Sequence, residues 1–266
     1  MAFEFHGNTQ LQFDQQRSTT AGHIIPFIES SGSLPPMGRV LEIGCGEGGA
    51  LQAFLDAGYT GVGIELSTSR AEAARELLGS VANNQPFNII QSDIHNINNI
   101  DELGGTFDLI VLKDVIEHVP DQYRLMAKLH YFLKPDGRVF ISFPPWHMPY
   151  GGHQQVCQHD LVSKLPWIHL LPKSIYRWLL ATAGEKTARI EELLDLKQTK
   201  MPLGKFERLA RRAGYSQMAR RLYLINPIYE HKFGLQPRVQ IPLLAGLPYL
   251  RNFVTTCGYY LIAPSQ

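Results

Sequence analysis

The chain has 266 residues and carries 25 Lys and Arg against 24 Asp and Glu, a formal net charge of +1. This length suits one α/β domain or a domain with a lid, burying about 70–75% of the unfolded chain's surface, and 44% apolar residues exclude intrinsic disorder. Near neutrality argues against a nucleic-acid partner, which requires a basic stripe, and only 18% of residues are charged, so aromatic and uncharged polar side chains must cover more of the surface.

The first residues lack a positive stretch and an apolar core, so no leader peptide is expected there. Through residue 145, short apolar runs alternate with amphipathic stretches, the pattern of a doubly wound, mostly parallel sheet. Buried strands are expected at 39–43, 60–65, 87–91, 107–112 and 138–143. Between them, a helix over 49–57 groups Leu51, Phe54 and Leu55 and stops at Gly58. A capping box at Ser69-x-x-Glu72 opens a second helix that ends at Gly79. A third, over 121–133, groups Leu125, Met126, Leu129 and Phe132, and Pro135-Asp-Gly137 turns the chain into the fifth strand. Residues 146–201 then read as a helical insertion hinged at Phe143-Pro-Pro-Trp146. A helix over 203–213 and strands over 218–225 and 253–263 complete the sheet, one of them antiparallel, with 226–250 as a loop insertion. The expected organisation is therefore 1–145 for an N-terminal helical segment and the core, 146–201 for the lid, and 202–266 for the completion of the sheet. The longest apolar run, 241–250, is too short to span a bilayer, which takes about 20 residues. Three scattered cysteines, Cys45, Cys157 and Cys257, form no disulfide framework, so a reducing, cytoplasmic setting is expected.

Chemistry concentrates after the first strand, in Glu42-Ile-Gly44-Cys-Gly46-Glu-Gly48-Gly49. Gly44, Gly46 and Gly49 satisfy GxGxxG, and Glu65 follows about 20 residues on, at the end of the second strand, where a carboxylate holds ribose hydroxyls. Glu42 would repel a pyrophosphate but suits an ammonium group. Asp93, after the third strand, is placed to accept from an adenine amine, and Asp114 follows the fourth. Four acids at four successive strand ends make a negative crevice suited to a cationic, adenosine-containing ligand.

These motifs resemble a class I S-adenosylmethionine-dependent methyltransferase of the small-molecule type: Leu41-Glu-Ile-Gly-Cys-Gly-Glu-Gly48, Gly63-Ile-Glu-Leu66, Ser92-Asp-Ile94, and Phe107-Asp-Leu-Ile-Val through Glu117-His118-Val. The resemblance covers residues 38–144. It implies a Rossmann-like, seven-stranded α/β sheet, mostly parallel with one late antiparallel strand, plus a helical lid. S-adenosyl-L-methionine is the implied cofactor, with Glu42 at its methionine end, Gly44, Cys45 and Gly46 beside it, Glu65 and Leu66 at the ribose, and Asp93 with Ile94 at the adenine. Gly49 and Lys113 join the expected set, with a simply solvated side chain as the alternative for Lys113 and for Glu117.

The candidate catalytic residues are His153, His118 and Asp114. Methyl transfer to an alcohol or phenol needs a proton acceptor, and histidine suits that role near neutral pH. His153 follows Tyr150-Gly-Gly, whose glycines are expected to let backbone approach substrate. His147, His153, His159 and His169 cluster in sequence, but their spacing matches neither HxxxH nor CxxC, so no metal is expected. Trp146, Trp167 and Trp178 all lie in the insertion, and Pro172 can start a helix in which Ile175, Trp178 and Leu179 share a face. That face either packs on the core to wall an apolar acceptor pocket or meets a membrane or lipid-linked substrate. Lys205, Arg208, Arg211, Arg212, Arg220 and Arg221 form a local basic cluster, read first as a solvated face. The expected activity is methylation of a small or lipid-like acceptor, at oxygen before carbon or nitrogen, without nucleic acid. A nicotinamide-dependent oxidoreductase sharing the glycine loop and a non-catalytic cofactor-binding partner subunit are the alternatives.

Overall fold

The computed structural model of the chain describes residues 8–31, 37–81 and 85–265, so the N-terminal stretch read for a leader lies partly outside the described residues. Five parallel strands come first along the chain: β1 (Arg39–Ile43), β2 (Thr60–Glu65), β3 (Phe87–Gln91), β4 (Phe107–Lys113) and β5 (Leu133–Phe143). With β6 (Tyr215–Ile225), β7 (Arg238–Val239) and β8 (Cys257–Pro264) they make an eight-stranded sheet in the order β3-β2-β1-β4-β5-β8-β6-β7. The expected count of seven is one short because β7, inside the stretch expected to be a loop, pairs antiparallel with β6. The expected antiparallel late strand is β8, which slots between β5 and β6. It begins at Cys257, not at 253, because residues 251–254 close as a helical turn. Strand order reverses between β1 and β4, and that switch point opens a crevice beyond the strands' carboxyl ends.

Strands β1 and β4 read as continuous apolar runs because both faces are covered. Leu41, Ile43, Ile110 and Leu112 pack on one side with Leu125, Met126 and Leu129; Val40, Leu109 and Val111 pack on the other with Phe27, Phe54 and Tyr259. The covering helices are α1 (Thr9–Thr19), α2 (Ile25–Ser30), α3 (Gly49–Asp56), α4 (Thr68–Ser80) and α5 (Gln122–Phe132). Asp121 caps α5 by accepting from the Arg124 amide at 2.9 Å. Helix α4 is capped by Ser67, not by Ser69, whose hydroxyl instead lies 3.1 Å from that of Ser67.

The insertion carries α6 (Asp160–Lys164), α7 (Lys173–Thr182) and α8 (Thr187–Thr199) around a cluster of its own, including Trp146, Tyr176, Leu180, Ile190 and Leu194. Its two ends meet where the Trp146 amide donates to the Met201 carbonyl at 3.1 Å. Lys197 fastens the interior, donating to the carbonyls of His169 and Leu171 while its ammonium lies over the Trp146 and Tyr176 rings. The face expected to be shared by Ile175, Trp178 and Leu179 is not the buried one. Tyr176 and Leu180 turn inward, and Ile175 and Trp178 are 47% and 65% exposed. Four more helices, α9 (Leu203–Arg212), α10 (Ile228–Phe233), α11 (Pro242–Ala245) and α12 (Arg251–Val254), lie around the late strands. Among the described residues, no helix is long and apolar enough to cross a membrane.

Candidate active site

Beyond β1 the backbone turns back hard enough that the Gly44 and Cys45 amides both donate to the Ile64 carbonyl, at 2.7 and 3.1 Å. Gly44 takes φ +71°, and a Cβ there would sit 2.5 Å from Val115 Cγ2, so only glycine fits. Gly46 donates its amide to Glu65 Oε2 at 2.8 Å, and Glu65 Oε1 accepts from the Ser67 amide at 2.9 Å. One carboxylate thus ties the glycine turn to the start of α4. Gly49 faces elsewhere: its missing Cβ leaves room for the Phe13 carbonyl, 2.2 Å from where that carbon would be, so it admits α1 against α3 and does not line the crevice. Gly63 similarly makes room for Cys45 Sγ and Ile89.

The crevice is a cavity of about 390 Å³ that brings together Glu42, Gly44, Cys45, Glu65, Leu66, Asp93, Ile94, Lys113, Asp114 and His118. Glu42 is 3% exposed, its Oε2 has no hydrogen-bond partner among the described residues, and burial lifts its pKa to about 8 against the pull of Lys113. Asp93 Oδ1 caps the turn Ile94–Asn96 by accepting from the His95 amide at 2.8 Å. Leu66 stands 67% exposed at the rim, while Ile94 is buried.

Two cations temper the expected negative crevice. Lys113 is not solvated: its side chain is 6% exposed and its ammonium lies 2.8 Å from Asp114 Oδ2. That pairing holds the Asp114 carboxyl below its ordinary range although burial pushes it up. Asp114 itself sits at φ +56°, a conformation costly for a residue with a side chain. Arg70, which no local motif marks, crosses over Gly46 and binds Glu47 through Nε and Nη2 at 3.1 and 3.2 Å. Gln16 of α1 and Leu125 of α5 also line the cavity, and nothing in the local sequence around either marked them.

His118 and His153 arrive from the adjacent loops after β4 and β5, with ring centroids 5.0 Å apart and planes at 76°. Burial, with His118 nearby, pushes the His153 imidazole down to about 4, so it is neutral at pH 7. The glycines before His153 admit close backbone packing: a Cβ on Gly151 would meet the Trp146 carbonyl at 2.3 Å, and one on Gly152 would meet His169 Cβ at 2.2 Å. Glu117 is not solvated either: it is 5% exposed, and both its oxygens lack a hydrogen-bond partner among the described residues. A second cavity under α8 is lined by His118, His153, Val156, Glu192 and Leu196, so His118 borders both spaces. The other clustered histidines disperse: His169 binds the Trp146 carbonyl at 2.7 Å, His147 packs on Phe253, and the His159 amide donates to Glu185.

Residues 13–187 match the family model described as a methyltransferase domain. An uncharacterized methyltransferase of Mycobacterium tuberculosis is 31% identical over 130 residues, 48% of this chain and 48% of that protein. A ubiquinone biosynthesis O-methyltransferase of Vibrio parahaemolyticus is 31% identical over 104 residues, 39% of this chain and 43% of that one. The chain thus spans about half the length of the curated relatives it matches. In fold it resembles the plantazolicin methyltransferase BamL, solved with a desmethylPZN analog and SAH, at a TM-score of 0.56 and 13% identity over 97% of this chain and 90% of that one. The chain belongs to the methyltransferase-domain family, whose cofactor is S-adenosylmethionine.

Proposed function

We propose that this protein is an S-adenosylmethionine-dependent methyltransferase that methylates a hydroxyl oxygen on a small or lipid-like acceptor. The observation that carries this reading is the crevice at the β1/β4 switch point, where a buried, unpartnered Glu42 oxygen, Glu65 and Asp93 line one cavity that His118 joins to a second. The residues fit the cofactor. Glu42 takes its ammonium, Glu65 its ribose hydroxyls, Asp93 Oδ2 its adenine amine, and Leu66 with Ile94 the faces of the base. A pyrophosphate would meet the same acids, which disfavours the nicotinamide reading.

When bound, S-adenosylmethionine supplies a methyl carbon already activated by its sulfonium, so the chain's own task is alignment and exclusion of water. His153, neutral and beside His118, handles the proton of the acceptor hydroxyl. The insertion roofs the second cavity, and its exposed Leu161, Trp167, Ile175 and Trp178 favour an amphipathic acceptor or a membrane-bound one. Similarity to the Vibrio O-methyltransferase supports oxygen as the methylated atom.

The test is turnover with isotope-labelled S-adenosylmethionine on a panel of phenols and lipid-linked phenols, with the product analysed by mass spectrometry and NMR. Label on oxygen is expected, and His153→Ala should lower kcat about 100-fold while S-adenosylhomocysteine affinity stays within twofold. Label on carbon or nitrogen would remove the O-methylation reading. A folded protein that binds the cofactor but turns over no acceptor would favour the partner-subunit alternative.

A further inference from the structure

Glu117 poses a physical problem that the cofactor cavity does not solve. A carboxylate 5% exposed, with neither oxygen hydrogen-bonded among the described residues, is costly to bury unless a positive group meets it. Lys113, the buried ammonium nearby, is already engaged by Asp114. What does face Glu117 is imidazole. His118 follows it on the turn Ile116–His118, with Nε2 3.8 Å from Glu117 Oε1, and one ligand atom from each of Glu117, His118 and His153 lies within 4.8 Å of the others.

We propose that Glu117, His118 and His153 form a divalent-metal site, zinc being the ion that fits, with an open position directed to the acceptor's hydroxyl. The inference rests on the methyl-transfer reading of this same site. Two imidazoles and a carboxylate are a common catalytic zinc set, and the nitrogen donors select against magnesium and calcium. Zinc bonds of about 2.0–2.1 Å require the three atoms to draw closer than they stand, and His118, whose side chain is 45% exposed, has room to turn inward. Location gives the ion its role. His118 borders both cavities and His153 lines the second, so a cation between them would orient an acceptor oxygen at their junction and lower that oxygen's pKa. In this arrangement the two histidines act on the acceptor's proton through the ion. No sequence motif announces the set, because its members come from two loops that only the pairing of β4 with β5 brings together.

The test is titration of the full chain with zinc chloride by calorimetry after chelation and desalting, with metal content checked by mass spectrometry. One zinc per chain is expected, with affinity at least tenfold weaker in Glu117→Gln, in His153→Ala and in His118→Ala. The last variant removes a half-exposed ring and guards against a folding failure at buried Glu117. S-adenosylhomocysteine, titrated into the same samples, should bind Glu117→Gln and His153→Ala, neither of which lines the cofactor crevice, as tightly as it binds the wild type. Absence of zinc uptake by protein that binds S-adenosylhomocysteine overturns the metal site, as does zinc affinity unchanged in all three variants, or methyl transfer undiminished after chelation. Zinc bound at this site by a chain that does not bind S-adenosylhomocysteine would instead overturn the methyl-transfer reading.

Discussion

At the scale of single residues, Glu42 makes the most specific claim about the cofactor. With a folded pKa of about 8, it keeps a proton between about pH 4.5 and 8 that the unfolded chain would release. The sign follows: the folded state binds more protons in this window, so Glu42 lowers stability progressively as pH rises through it. An ammonium group placed against Glu42 would reverse the preference and expel the proton. S-adenosylhomocysteine binding at pH 7 is therefore expected to release close to one proton, read by calorimetry in buffers of different ionisation enthalpy. Glu42→Gln should abolish the release, and equal proton release by both proteins would place the ammonium elsewhere. His153 titrates in the opposite sense. Its imidazole, held down to about 4, contributes a stability penalty that fades as pH rises from about 4 to 6.5, so it stays neutral across the neutral range.

At the scale of elements, the insertion depends on close backbone approach at its base. Gly152→Ala would force a carbon to within 2.2 Å of His169 Cβ, and the expected cost is about 1–3 kcal/mol, seen as a lowered Tm. Because the insertion has its own apolar cluster, S-adenosylhomocysteine binding in the β1/β4 crevice should change little. An unchanged Tm would mean that the base yields more easily than its contacts suggest.

Elements differ in how far the sequence revealed them. Strands β1, β2 and β3 follow the expected bounds because a buried parallel strand is a short apolar run between turn residues. The late strands were blurred: Tyr215–Gln217 adds three residues to β6 through pairing with β8, and only the assembled sheet reveals β7. Helix α7 is apolar on both sides, so its periodicity could not show that Tyr176 and Leu180 face inward while Trp178 faces out. In the site, the acids and Gly44 were legible because each belongs to a local motif. Arg70, Gln16 and the burial of Glu117 were not, since each depends on contacts between distant segments.

At the scale of the molecule, a net charge of +1 conceals an uneven distribution. The crevice at the strand ends mixes acids with Lys113 and Arg70. The basic cluster disperses: Glu207 binds both Arg220 and Arg251, Arg221 lies over Phe27, and Arg212 lies over Tyr123. Apolar exposure is the more pronounced surface feature, with Trp178 at 65%, Leu243 at 76% and Tyr249 at 87%. Trp178→Ala is expected to leave stability within about 0.5 kcal/mol and cofactor affinity unchanged. It should raise KM for a lipid-linked acceptor several-fold more than for a water-soluble analogue, and equal KM changes for the two would separate Trp178 from acceptor recognition.

The central claim is that the crevice at the ends of β1 and β2 holds S-adenosylmethionine through Glu65. Titration of S-adenosylhomocysteine into wild-type protein and Glu65→Ala tests it most directly. One site per chain is predicted, weakened about 30-fold by the substitution through loss of roughly 2 kcal/mol of charge-assisted hydrogen bonding. Folded wild-type protein that fails to bind, or a folded Glu65→Ala variant that binds as tightly as wild type, would contradict it.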